Sequence, residues 1–295
     1  MPQIAAAMIP HFPDVLPDER QRYAEELAAL GGLTDQRLLA ALASVRREDF
    51  LPPGPWLAES SDGLCYLTPD ANPRRILHGV GVVIDPNRSL HSGNPAKVAR
   101  ALQFADIRPG QTVLHVGAGM GYFSAVIAEL VGPTGRVIAA EIDPLLNRVA
   151  RANLASWKNI EVVGDALSLN LPQLDRIFAS CGMASLPRRW LDALGPDGCL
   201  TLPMTGALEY GLQFHFSRTA NPDIFKAQVL SCVLFYPCQG LRQPDRMAAF
   251  DAALSNGQGH AVKMLRLDDH PPDHDCWLHG DGFCLSRAAP PDDKA

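Results

Sequence analysis

Apolar and polar positions recur at two different periods along this chain, and the change from one to the other divides it. From Asp18 to Leu30 the residues Tyr23, Leu27 and Leu30 fall at helical spacing. Thr34 stands where a cap belongs, ahead of a second helix reaching about Val45 with Leu38, Leu39 and Leu42 turned inward. Pro52, Pro53 and Pro55 then break the period. Between Trp56 and Pro95, Gly, Pro, Asn and Asp are frequent, which predicts loops with short strands.

The middle of the chain alternates. Thr112 to Val116 predicts a strand, Tyr122 to Val131 a helix, Arg136 to Ile142 a strand, and Pro144 to about Trp157 a helix. Strands at Ile160 to Val163, Asp175 to Ala179 and Cys199 to Leu202 follow, with a short helix from Pro187 to Leu194. Such alternation implies parallel pairing with right-handed crossovers, hence an α/β, Rossmann-like, doubly wound sheet. After Pro203, Leu208 to Phe216 and Ala227 to Tyr236 predict an antiparallel hairpin. A helix from Asp245 to Leu254 should end at Asn256-Gly257, and short strands should follow between Val262 and Ser286. The expected organisation is a helical and loop region at 1–95, a cofactor-binding domain at 96–240, a C-terminal extension at 241–287 and a disordered tail at 288–295.

Composition narrows the partners. Of 295 residues, 47% are hydrophobic and 20% charged, the balance of a soluble globular protein. The net charge of -6 and the lack of any basic run longer than Arg74-Arg75 or Arg188-Arg189 argue against nucleic acid. No segment is apolar enough to span a membrane, and Met1 to Pro13 lacks the basic start of a signal peptide. Seven scattered cysteines suit reduced thiols, so a cytoplasmic location is expected.

The candidate chemistry sits at three successive strand ends. Gly117-Ala118-Gly119-Met120-Gly121 follows the first strand of the alternating region and opens a helix. Glycines let the turn tighten and a ligand approach the backbone, and the helix start offers free N–H groups. The G-x-G-x-G spacing is shorter than the dinucleotide pattern. Glu141, ending the second strand, can accept from both hydroxyls of a ribose. Asp165, in Gly164-Asp165-Ala166 after the third strand, can accept from an adenine amino group, or simply cap a turn. Together they point to an adenosine-bearing cofactor at the carboxyl edge of the sheet.

Val113 to Tyr122, with Arg136-Val137 leading to Glu141-Ile142-Asp143, resembles the cofactor motifs of the protein-L-isoaspartate O-methyltransferases. Leu38 to Leu42, Val45 to Pro53, Leu174 to Ile177 and Leu194 to Pro203 resemble that family too, so the likeness runs from about Asp18 to Gly206. The resemblance implies a class I methyltransferase fold and S-adenosyl-L-methionine as methyl donor, with S-adenosyl-L-homocysteine as product. It places the donor against His115, Gly117, Ala118, Gly119, Gly121, Tyr122, Glu141, Ile142, Asp165 and Ala166. It implies O-methylation of a carboxylate on a protein, peptide or small acid.

Two departures stand out. His115 occupies a position that is usually acidic in the family, and it is either a neutral strand residue or a contact of the donor's amino-acid end. The family's substrate loop reads Ser-Gln-Pro before a helix. Here Leu90-His91-Ser92-Gly93-Asn94-Pro95 puts Asn94 in place of Gln and Gly93 in place of the hydroxyl, with Ser92 displaced by one residue. A carboxylate acceptor needs no base, whereas a hydroxyl or amine would, and His91 is then the candidate. Ser92 and Asn94 can bind an acceptor oxygen, or else form a turn and cap the helix at Pro95. Two alternatives therefore stay open: a peptide-tailoring or small-molecule O- or N-methyltransferase, and a donor-binding protein without catalysis. Base methylation is disfavoured, because Ala179-Ser180-Cys181-Gly182 replaces the Asn-Pro-Pro-Tyr-like motif that such enzymes need.

His270, His274, Cys276, His279 and Cys284 crowd the C-terminal extension. They lack the paired C-x-x-C or H-x-x-x-H spacing of common zinc sites. The expectation is no metal, and a hairpin from Cys276 to Leu285 turning at Gly280-Asp281-Gly282.

Overall fold

In a computed structural model, residues 17–60, 62–280 and 282–291 are described. The N-terminal stretch judged not to be a signal peptide, the end of the tail (292–295) and the turn residue Asp281 lie outside them. Helices α1 (Pro17–Gly31) and α2 (Gln36–Ser44) come first. A small sheet follows, built from β1 (Leu57–Glu59), β2 (Cys65–Leu67), β3 (Gly81–Asp85) and β4 (Leu90–His91) in the order β2-β1-β3-β4. Helix α3 (Pro95–Ala105) leads into the alternating region: β5 (Thr112–Val116), α4 (Tyr122–Val131), β6 (Arg136–Ala140), α5 (Pro144–Asn153), β7 (Ile160–Val163), β8 (Leu174–Ala179), α6 (Arg188–Ala193) and β9 (Leu194–Thr205). The chain ends with β10 (Tyr210–Arg218), β11 (Ile224–Leu234), α7 (Pro244–Ser255), β12 (Met264–Arg266), β13 (Cys276–Gly280) and β14 (Phe283–Ser286).

The main sheet has ten strands in the order β13-β14-β12-β11-β10-β9-β8-β5-β6-β7. Strands β7, β6, β5, β8 and β9 pair in parallel, as the strand–helix alternation predicts. The order reverses between β5 and β8, so a crevice opens at their carboxyl ends, where ligands bind in such sheets. The strands feed two cores. Val113, Val137 and Ala139 point to the core under α1 to α4, while Leu114, Val116, Ile138 and Ala140 point to the core under α6 and α7. Burial on both faces explains why β5 and β6 are apolar without alternation.

The antiparallel part is larger than the hairpin expected from the sequence. Beyond β9, five strands continue the sheet to its far edge. The short strands expected between Val262 and Ser286 form, β12 with 3 residues and β14 with 4, and they join the main sheet rather than standing apart as an extension. Three local expectations change as well. Asp35, not Thr34, caps α2, accepting from the Arg37 N–H, while the Thr34 N–H donates to Gln103 Oε1 at 2.5 Å. Leu30 is 58% exposed despite its helical spacing. Leu208 lies in the turn before β10 and is 85% exposed.

Candidate active site

The glycine turn joins β5 to α4 at the crevice. Gly117, Gly119 and Gly121 all have positive φ (75°, 58° and 102°), which L side chains rarely adopt. Two of them are also hemmed in. A Cβ on Gly117 would lie 3.1 Å from Cys181 Sγ, and one on Gly121 2.9 Å from Leu154. Gly119 differs, for nothing lies within 4 Å of its would-be Cβ. Its neighbourhood is open to a ligand. Helix α4 carries no side-chain cap, whereas Asn94 and Asp143 cap α3 and α5.

Glu141 reaches across to this turn. One carboxylate oxygen accepts from the Gly119 N–H at 2.7 Å and the other from the Asp143 N–H at 2.9 Å. Burial holds its pKa above the usual carboxylate value, and the two backbone donors offset only part of that rise. Ile142 beside it is 41% exposed, an apolar side chain set at the cleft. Asp165 accepts from the Leu167 N–H through Oδ1, and Ala166 is buried, its carbonyl accepting from the Trp190 ring nitrogen. Glu141, Ile142, Gly164, Asp165 and Ala166 line one lobe of the cleft. Ser92, Asn94, Ala118 and Tyr122 line a second, and His91, Gly117 and Gly119 line both. The sequence-predicted residues are thus brought to one cleft, except Gly121, which lines neither lobe.

His115 is buried at the second lobe. Its Nδ1 meets Ser124 Oγ at 2.8 Å and its Nε2 meets Ser180 Oγ at 3.0 Å. Burial lowers its pKa to about 3, so the ring is neutral near pH 7. Two hydroxyls satisfy it there without a counter-charge.

The loop between β4 and α3 is tied to itself. Ser92 Oγ accepts from the Val82 N–H at 3.0 Å and donates to the Gly93 carbonyl at 3.2 Å. Asn94 Oδ1 accepts from Ala96 and Lys97, and its Nδ2 donates to the Gly79 carbonyl at 2.6 Å. His91 Nδ1 is 2.7 Å from Glu59 Oε2. Beneath them lies Arg47, 2% exposed, which the sequence reading left without a role. Its guanidinium donates to the carbonyls of Ile76, His78 and Val80, and it stands 3.5 Å from Ser92 Oγ. The signal was its place in Arg46-Arg47-Glu48-Asp49-Phe50, but its targets begin 29 residues later. Arg88 and Tyr236 were also missed. Arg88 pairs with Asp143 at 2.7 Å and approaches the Tyr236 hydroxyl at 3.4 Å, at the lobe that holds Glu141.

An open glycine turn, a carboxylate at the next strand end and an order-reversing parallel sheet define a Rossmann-like methyltransferase of class I. Comparison with known proteins sharpens this. Residues 81–243 match the family model of protein-L-isoaspartate(D-aspartate) O-methyltransferases. The chain is 36% identical over 230 residues to a protein-L-isoaspartate O-methyltransferase of Aeropyrum pernix, covering 76% of this chain and 80% of that one. A Methanopyrus kandleri relative of the same name is 35% identical over 191 residues, covering 63% and 76%. A solved protein-L-isoaspartate O-methyltransferase superposes with a TM-score of 0.64 at 20% identity, covering 80% of this chain and 69% of its own. A Plasmodium falciparum protein assigned to the same activity, solved with S-adenosyl-L-homocysteine, gives 0.57 at 17%, covering 74% and 97%. The chain belongs to the protein-L-isoaspartate O-methyltransferase family. It is therefore an S-adenosyl-L-methionine-dependent carboxyl methyltransferase resembling those enzymes. No helix among the described residues is long and apolar enough to cross a membrane.

Proposed function

We propose that this enzyme methylates a carboxylate carried on a peptide or protein, with the β4–α3 loop selecting the acceptor. The observation that carries the reading is the state of the loop's polar groups. Ser92, Asn94 and His91 Nδ1 are already engaged, and His115 is neutral and enclosed. Ser92, Asn94 and His115 are therefore not presented as free bases, and a carboxylate acceptor needs none.

The residues at the first lobe fit the donor. Glu141 would hold the ribose hydroxyls, Ile142 would pack on the adenine, Asp165 would accept from its amino group, and the Gly117–Gly121 turn would admit the donor's backbone-like end. When bound, the donor supplies an electrophilic methyl on sulfur. The protein's own share is placement: binding the acceptor in line and keeping water out. His91, held at Nδ1 by Glu59, orients the acceptor carboxylate. Lys97 and Arg100, exposed on α3, put positive charge at the mouth of the second lobe. Leu230, Val233, Leu234 and Phe235 form an apolar wall of that lobe. A basic edge beside an apolar wall suits an acidic peptide better than a small polar acid.

The test is the pH profile of single-turnover methylation, from pH 5.5 to 8.5, for the native enzyme and His91→Gln. The native rate should be flat, and His91→Gln should raise the peptide KM several-fold without bending the profile. A rate that rises with pH and collapses in His91→Gln would make His91 a general base. The acceptor would then be a hydroxyl or an amine.

A further inference from the structure

The far edge of the main sheet gathers four metal-binding side chains. His270, Cys276, His279 and Cys284 each place a ligand atom within 4.8 Å of the other three. Cys276 Sγ lies 3.7 Å from His270 Nε2 and 4.0 Å from His279 Nδ1. In a tetrahedral zinc site, bonds of about 2.3 Å to sulfur and about 2.0 Å to nitrogen put neighbouring ligand atoms roughly 3.4–3.8 Å apart. The cluster needs only slight contraction to reach that geometry.

Its assembly depends on a bulge. Residues three apart on a regular strand face opposite sides, which would separate Cys276 from His279. On β13, however, Cys276 pairs with Ser286 and Leu278 with Leu285, so one extra residue is accommodated between them. That shift returns Cys276 to the face of His279. His279 itself pairs directly with Cys284 on β14. His270 arrives from the loop after β12.

The surroundings are those of a ligand set. His270 Nδ1 meets the Asp268 carbonyl at 3.0 Å, which fixes the tautomer that leaves Nε2 free for a metal. The Asp273 N–H points at Cys276 Sγ from 3.3 Å, a donor suited to a thiolate. Arg266 pairs with Asp268 at 2.6 Å and Asp273 at 3.7 Å, bracing the loop that carries His270. Cys284 is 1% exposed and the His270 side chain 9%.

We propose that His270, Cys276, His279 and Cys284 form a structural zinc site that pins the C-terminal extension to the sheet. Two nitrogens and two sulfurs are the donor set zinc prefers, and four protein ligands leave no position open for catalysis. Binding releases the two thiol protons, and two thiolates then neutralise the ion within the fold. The site lies outside the family match at 81–243, and on the strands farthest from β5. The spacing that argued against a metal is that of a bulged hairpin rather than of a zinc finger.

The test uses tag-free, reduced, full-length protein supplied with zinc. Elemental analysis after gel filtration should find about one zinc per chain, and replacement by cobalt should give the intense visible bands of a tetrahedral, thiolate-bound ion. Chelation should lower Tm by about 5 °C or more with two protons taken up per zinc removed. Cys284→Ser and His279→Ala should lose the metal yet keep donor affinity within about twofold. Reduced native protein that takes up no zinc and gives no cobalt bands would overturn the proposal. So would a Cys276–Cys284 disulfide that persists in the protein purified with zinc.

Discussion

At the scale of single residues, the account rests on Glu141, Gly119 and His115. Glu141 spends both oxygens on backbone N–H groups of the glycine turn and the α5 cap. Glu141→Gln keeps one acceptor oxygen and loses the charge. A hydrogen bond to a charged group is worth about 1.5–3 kcal/mol, so donor affinity by calorimetry should fall about tenfold to a hundredfold. His115 governs acid stability. Its folded pKa of about 3 lies below the unfolded value of 6.5. Between those limits the unfolded chain binds the extra proton, so stability is lost as pH falls from 6.5 toward 3. Urea titrations should show a loss approaching about 1.4 kcal/mol per pH unit from this ring, and His115→Asn should flatten that limb. An unchanged slope would mean that another group carries it. These residues were legible because each sits at a strand end, where the chemistry is local in sequence. His115 was visible but ambiguous, since its partners Ser124 and Ser180 come from two other segments.

At the scale of elements, the β4–α3 loop is set by its supports. Asn94 caps α3 and holds Gly79. Asn94→Ala should cost about 1–2 kcal/mol in denaturant stability and raise the peptide KM. Asn94→Ser keeps a capping oxygen and loses the tether to Gly79, so it should raise KM with a smaller loss of stability. Arg47 is the deeper support. Arg47→Met leaves three buried or half-buried carbonyls without their donor and should destabilise by about 3 kcal/mol or more. Donor affinity should stay within about twofold, because Arg47 lines only the acceptor lobe. The sequence signalled the capping alternative for Asn94 through Pro95. It marked Arg47 only by its place in the Arg46–Phe50 run and not by its targets, which are carbonyls that any residue could supply. The same holds for β13, where a bulge that no residue type announces decides which side chains share a face.

At the scale of the whole molecule, a parallel half and an antiparallel half divide the work. The parallel half, with its reversal between β5 and β8, was readable from strand–helix alternation and carries the donor lobe. The antiparallel half supplies the apolar wall of the acceptor lobe from β11 and reaches the metal cluster at β13 and β14. Its short outer strands carry too little periodicity to be read singly, so it was only partly legible. The division explains why the donor was easier to infer than the acceptor: the residues proposed for the donor lie at consecutive strand ends, whereas those lining the proposed acceptor lobe come from β1, the β4–α3 loop, α3 and β11. The most direct test of the central claim is methyl transfer from labelled donor to an isoaspartyl peptide and its aspartyl twin, with donor binding measured in the same sample. Base-labile label on a peptide carboxylate is the predicted result. Label that withstands base, or no label on any acidic peptide while the donor binds, would contradict it.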